Sequence, residues 1–337
     1  MRDAGILVRA LSDPTSTASL DGEGWTALIT MARAEQLIGS LACRLERVDA
    51  PAPVAALLDD ARRSAAQGRR QALWEAEMAW RALAPLGIPV VLLKGTAFAA
   101  ADLPASEGRS IGDLDILVPH DALGDVEKAL LTAGWEWVKE DAYDDLYYRT
   151  WMHELPPLIH RERDRMIDVH HTILPPTAKP TPSAKALLAD SVALPNGLRI
   201  LSPADIIVHA AAHLFADGDL AGGLRNLWDI DRLLRRFSAD AAFWPTLKNR
   251  AQHHELSGAV SRALRLTRSL YATPVDGALA GPGRPSDALY RRRLLARDGW
   301  GRERRKPLRL GFYVRSHWLR MPPLMLARHL WTKARKG

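Results

Sequence analysis

The stretch Arg109-Ser110-Ile111-Gly112-Asp113-Leu114-Asp115-Ile116-Leu117-Val118-Pro119 sets two acids into a run that otherwise has the apolar, β-branched character of a buried strand. Strand alternation sends residues i and i+2 to one face, so Asp113 and Asp115 project together while Leu114 and Ile116 face away. Two carboxylates on one side repel unless a cation, a proton or water relieves them, and a divalent metal relieves them most completely. Asp-x-Asp also arises by chance at exposed strand ends, so the pair acquires meaning only from its surroundings.

Those surroundings are α/β. Upstream, residues 27–83 read as helices rich in Ala, Leu, Glu and Arg, broken at Pro51 and Pro53, with 61–84 as one long amphipathic helix. Val90-Val91-Leu92-Leu93 is a short strand closed by Lys94-Gly95, and residues 96–102 resume a helix. Downstream, the strand 114–118 stops at Pro119, and a helix over 121–133 stops at Gly134. Strand-like pieces follow at 135–138, 146–152 and 165–171. Pro175 to Pro182 is a surface connection, and Ser202-Pro203 caps a second helical region running to Tyr271. The Gly/Pro-rich tract 277–286 reads as a linker. The expected organisation is a helical region over 1–84, an α/β core over 85–200 and a helical region with a basic tail over 201–337.

A further strand, Met166-Ile167-Asp168-Val169-His170, carries an acid between apolar neighbours, and a third carboxylate from an adjacent strand would complete a two-metal site. The turn Lys94-Gly95-Thr96 opens a helix whose free backbone amides suit a phosphate. Lys94 and Arg109 are the natural triphosphate partners. Their bland alternative is to neutralise the acidic cluster. His170 shares a face with Asp168, which suits substrate contact or orientation of that carboxylate. His209 and His213, one helical turn apart, share a face that could ligate a metal, but they read first as packing or hydrogen-bonded core residues, on a face that could also line the acceptor pocket. Arg225 and Asp229 read as an i,i+4 salt bridge.

Together these segments reach a family. Leu92-Leu93-Lys94-Gly95, Arg109-x-x-x-Asp113-Leu114-Asp115-Ile116-Leu117-Val118 and Asp168-Val169-His170 resemble the uncharacterised nucleotidyltransferase family, a branch of the polymerase-beta-type nucleotidyltransferase superfamily. His209-Ala210-Ala211-Ala212-His213 with Leu224-Arg225-Asn226-Leu227-Trp228-Asp229-Ile230 resembles its C-terminal helical portion, so the likeness runs over about residues 88–234. The resemblance implies a mixed, mostly antiparallel sheet flanked by helices, with Mg²⁺ held by Asp113, Asp115 and Asp168. It also implies nucleotidyl transfer from a nucleoside triphosphate, ATP among the candidates, to an acceptor hydroxyl on a small molecule, sugar, peptide or protein. On this reading Lys94, Gly95, Thr96, Arg109 and His170 contact the nucleotide. Two departures stand: Gly95-Thr96 replaces the Gly-Ser of better-known members, and the interval from Gly95 to Asp113 is longer than theirs.

Composition narrows the field. With 47% hydrophobic and 25% charged residues among 337, a disordered chain is excluded. One cysteine, Cys43, forms no internal disulfide, and the first residues lack a signal-like apolar core, so a reducing cytoplasm is the expectation. The net charge of +7 favours anionic partners, and the excess is concentrated in the last third. There, arginines interleave with Trp300, Trp318 and Trp331, a pattern that suits RNA or an anionic membrane surface, although charge runs are ordinarily solvated faces. Two rivals therefore stand beside the enzyme: a catalytically inactive binding or regulatory protein of the same fold, and a basic RNA- or membrane-associating protein.

Overall fold

The computed structural model describes residues 3–139 and 142–320. Its centre is a seven-stranded sheet built from β1 (Val91–Leu92), β2 (Leu114–Leu117), β3 (Trp135–Trp137), β4 (Leu158–His160), β5 (Met166–His170), β6 (Val192–Ala193) and β7 (Arg199–Ile200). The spatial order is β3-β4-β5-β2-β1-β7-β6. The pairs β1–β2, β3–β4, β4–β5 and β6–β7 are antiparallel, while β1–β7 and β2–β5 are parallel. The sheet is thus mixed and mostly antiparallel, with helical regions before and after it in the chain, as the resemblance implied. Every residue of β2 is buried, which fits its near-continuous apolar sequence.

The helix Ala52–Leu83 packs against the helices Lys94–Ala100 and Leu123–Thr132 and against β2. It begins nine residues before the expected start at Ala61. Pro53 falls in its first turn, where a missing N–H removes no helical hydrogen bond. One continuous hydrophobic core joins Leu7 and Leu28 from the N-terminal helices, Leu92, Ile116 and Val169 from the sheet, and Leu227 and Leu264 from the C-terminal helices.

The expected strand over 146–152 is instead part of a helix, Ala142–Trp151. Its aromatic, strand-favouring composition is overruled by tertiary contacts. Arg149 grips Glu127 with two hydrogen bonds of 2.9 and 2.6 Å and lies 5.5 Å from the ring centre of Trp137. Strands β4, β6 and β7 carried too few residues to stand out in the sequence. The tract 277–286 is not a bare linker: it holds a helical turn, Gly277–Ala280, capped by Asp276, and Pro285 opens the helix Pro285–Leu294.

Ser202 does cap the helix Pro203–Ala212, accepting a hydrogen bond from the Asp205 amide, with Pro203 in the first turn. Asp205, fully buried, is held by Arg250 at 2.7 Å through two bonds and by His254 at 3.3 Å, which ties this helix to Phe243–His253. The helix Lys306–Arg320 covers part of the basic tract, and residues 321–337, with Trp331, lie outside the described residues. No helix among the described residues is long and apolar enough to cross a membrane.

Candidate active site

Register brings the acids together. In the parallel pair β2–β5, Asp115 lies opposite Asp168 and Leu117 opposite His170, so both carboxylates leave the sheet on the same face. Asp113, exposed, precedes β2 by one residue. One carboxylate oxygen from each of Asp113, Asp115 and Asp168 lies within 4.8 Å of the others. Oxygens alone, from three acids at this spacing, form a donor set of the type that hard divalent cations take.

The three acids are not equivalent. Asp115 is 2% exposed, and burial opposes its ionisation; yet Lys94 Nζ at 2.6 Å and His170 Nε2 at 3.0 Å hold its carboxyl well below the usual range. Asp168 goes the other way. Burial first, then the charges of Asp115 and Glu154, push it up to about 7. Among the described residues, Lys94 is therefore matched to Asp115, while Asp168 stands among negative neighbours, an imbalance that a bound cation would correct.

Lys94 reaches Asp115 because Leu93, the residue after β1, donates its amide to the Asp115 carbonyl at 2.9 Å and the chain then turns sharply. Lys94 itself adopts a left-handed φ of 49°. Its bland role, neutralising the acidic cluster, is thus real at Asp115. Arg109 differs: it turns to Asp229, 120 residues away, at 2.9 Å with both side chains buried. That pairing corrects the expected Arg225–Asp229 bridge. Arg225 instead donates to Gln36 and leaves its Nε unpartnered.

Gly95 has a role that its position in a presumed phosphate loop did not suggest. A Cβ there would meet Arg109 Nη1 at 1.9 Å, so the missing side chain is what admits the guanidinium. Arg109 also lies 5.6 Å from the ring centre of Phe98. Thr96, by contrast, is 1% exposed, and its hydroxyl is covered and unpartnered. His170 makes its hydrogen bond to Asp115.

A small cleft is lined by Lys94, Arg109, His209, His213, Arg225 and Asp229, among others. It opens between the Lys94 turn and two helices, Pro203–Ala212 and Gly223–Phe237. His213 begins a π-helical turn, His213–Asp217, an irregularity often met at functional sites. Burial, followed by the nearby Lys94 charge, holds His213 down to about 3 and His209 well below its usual value, so both rings are neutral hydrogen-bonding groups at pH 7. Both histidines face the same cleft as Lys94. A larger cleft shares Arg109 with it and runs along the helices Ile38–Arg44 and Ala52–Leu83.

Sequence reasoning missed His153 and Glu154. Their segment pairs beside β5, with Glu154 opposite His170 and the Leu155 amide bonded to the Val169 carbonyl at 2.9 Å. The adjacent His-Glu just before Leu155-Pro156-Pro157 was the available signal. A model of a family described as uncharacterised nucleotidyltransferase matches residues 21–272, about three quarters of the chain. No curated protein matches it.

Proposed function

The chain belongs to the uncharacterised nucleotidyltransferase family, and from that premise we propose a Mg²⁺-dependent enzyme that transfers a nucleoside monophosphate from a nucleoside triphosphate to an acceptor hydroxyl. The observation that carries this reading is the convergence of Asp113, Asp115 and Asp168 within 4.8 Å beside a cationic cleft. In the reaction the acceptor oxygen bonds to the α-phosphorus, the bond from that phosphorus to the β-bridging oxygen breaks, and pyrophosphate leaves with the electron pair.

The three aspartates are the residues to hold Mg²⁺, which when bound supplies charge stabilisation to the entering and leaving oxygens. Lys94, Arg109 and Arg225 line the cleft and offset the triphosphate charge. His170 keeps Asp115 in its rotamer through the 3.0 Å hydrogen bond. Asp168, whose carboxyl has been raised toward neutrality, takes the acceptor proton. His209 and His213, uncharged, offer hydrogen bonds to the acceptor or base without adding positive charge. The helices that carry them fall within the matched family segment, which supports a cleft belonging to the enzyme rather than to a later attachment.

The test is incubation of the purified chain with each α-labelled triphosphate, Mg²⁺ and cell extract, following label transfer and pyrophosphate. Metal-dependent transfer that disappears in Asp115→Ala is expected. Absence of both nucleotide binding and transfer with all four triphosphates would sink the proposal.

A further inference from the structure

We propose a second cation site: His153, Glu154 and His170 together bind one divalent transition-metal ion of the Zn²⁺ class, beside the three aspartates. One ligand atom from each of the three lies within 4.8 Å of the others. The ligand types decide the metal. Two imidazoles and one carboxylate suit Zn²⁺, with a fourth position left for water or substrate, whereas Mg²⁺ prefers oxygen alone.

Two covered ring nitrogens beside one carboxylate carry the argument. The His170 ring is 3% exposed, and Nε2 lies 3.0 Å from Asp115 Oδ1. An ionised carboxylate only accepts, so Nε2 holds the proton and donates it. The other ring nitrogen, Nδ1, is covered, has no hydrogen-bond partner and faces Glu154 Oε2 at 3.4 Å. That contact calls for positive charge, supplied either by a proton on the ring or by a metal ion. A proton would satisfy that contact alone. It would leave His153 Nδ1, which is also covered and without a partner, unexplained. The two imidazole rings stand 5.2 Å apart at 32°, so one ion can serve both.

The backbone is arranged for it. Glu154 pairs with His170, but Leu158 pairs with Ile167, so four residues on one strand span three on the other. The extra residue falls at Leu155-Pro156-Pro157, where two prolines cannot donate to a ladder. Such a bulge re-aims side chains, and here it delivers both His153 and Glu154 to His170. The order Asp115, His170, metal is the arrangement in which an outer carboxylate fixes the ligating tautomer. In this protein the outer carboxylate is also an acid of the proposed Mg²⁺ site, so the second ion is a positioning device for Asp115. The inference stands on His153, Glu154 and His170 and does not depend on nucleotidyl transfer.

The experiment uses the full chain without a histidine tag, stripped with chelator and titrated with Zn²⁺ in excess Mg²⁺, with bound metal counted by mass spectrometry and affinity read by calorimetry. One Zn²⁺ per chain is expected, weakened at least tenfold in His153→Ala and again in Glu154→Gln, and retained in Asp113→Asn. Co²⁺ loading should give the visible absorption of a tetrahedral nitrogen and oxygen site, also lost in His153→Ala. Unchanged circular dichroism in the variants separates a lost ligand from a lost fold. No bound Zn²⁺, affinity indifferent to both substitutions, or His170 nitrogen resonances showing both ring nitrogens protonated in the Zn²⁺-treated chain would overturn the site.

Discussion

Asp115 and Asp168 face each other across two adjacent parallel strands, opposite one another in register although 53 positions apart in sequence. Replacing Asp168 with Asn keeps the shape and removes the charge and the proton acceptor. Transfer of labelled nucleotide should fall by about 10²-fold or more, with folding intact by circular dichroism. A variant within tenfold of the parent would remove Asp168 from the chemistry.

Proton and metal compete at Asp168. Its carboxyl, pushed up to about 7, is largely protonated below neutrality in the metal-free chain. Mg²⁺ affinity should therefore strengthen as pH rises through about 7 and level off above it, with a proton released on binding. Calorimetry in buffers of different ionisation enthalpy measures that proton, and Asp168→Asn should abolish the release.

Lys94 contends with metal for Asp115 from 2.6 Å. Lys94→Met should tighten Mg²⁺ binding while weakening triphosphate binding, each by roughly tenfold, the scale of a charge-assisted contact. Parallel loss of both would mean that Lys94 chiefly supports the fold.

Gly95→Ala drives a methyl group into Arg109 and pushes it from Asp229. Overpacking of this kind costs about 1–3 kcal/mol, measurable as a lower urea midpoint. The companion variant Arg109→Lys, with less bulk at the contact, should restore part of the stability to Gly95→Ala.

Asp205 lies far from the acids in sequence and role. Asp205→Ala strands Arg250 and His254 and should destabilise by about 3–5 kcal/mol. Burial opposes the Asp205 charge, but His254, Arg250 and Ser202 outweigh it and hold the pKa below 3.8. Its contribution is therefore present above pH 3.8 and fades as pH falls through the lower folded value. Thermal unfolding of parent and Asp205→Asn should converge at acidic pH.

The sequence by itself determined the parts that local chemistry governs. Alternation put Asp113 and Asp115 on one face, Ser202-Pro203 marked the start of a helix, and Asp168 between apolar neighbours announced a further acidic strand. Tertiary structure alone decided which groups meet. The β2–β5 register, the capture of Arg109 by Asp229, the fit of Arg109 over Gly95, and the bulge that brings His153 and Glu154 to His170 all join positions distant along the chain. The physical reason is one of range. Propensity, capping and side-chain alternation act over a few residues, whereas strand register and buried ion pairs are settled by packing of the whole core, which also turned the strand-like run near Leu146 into a helix.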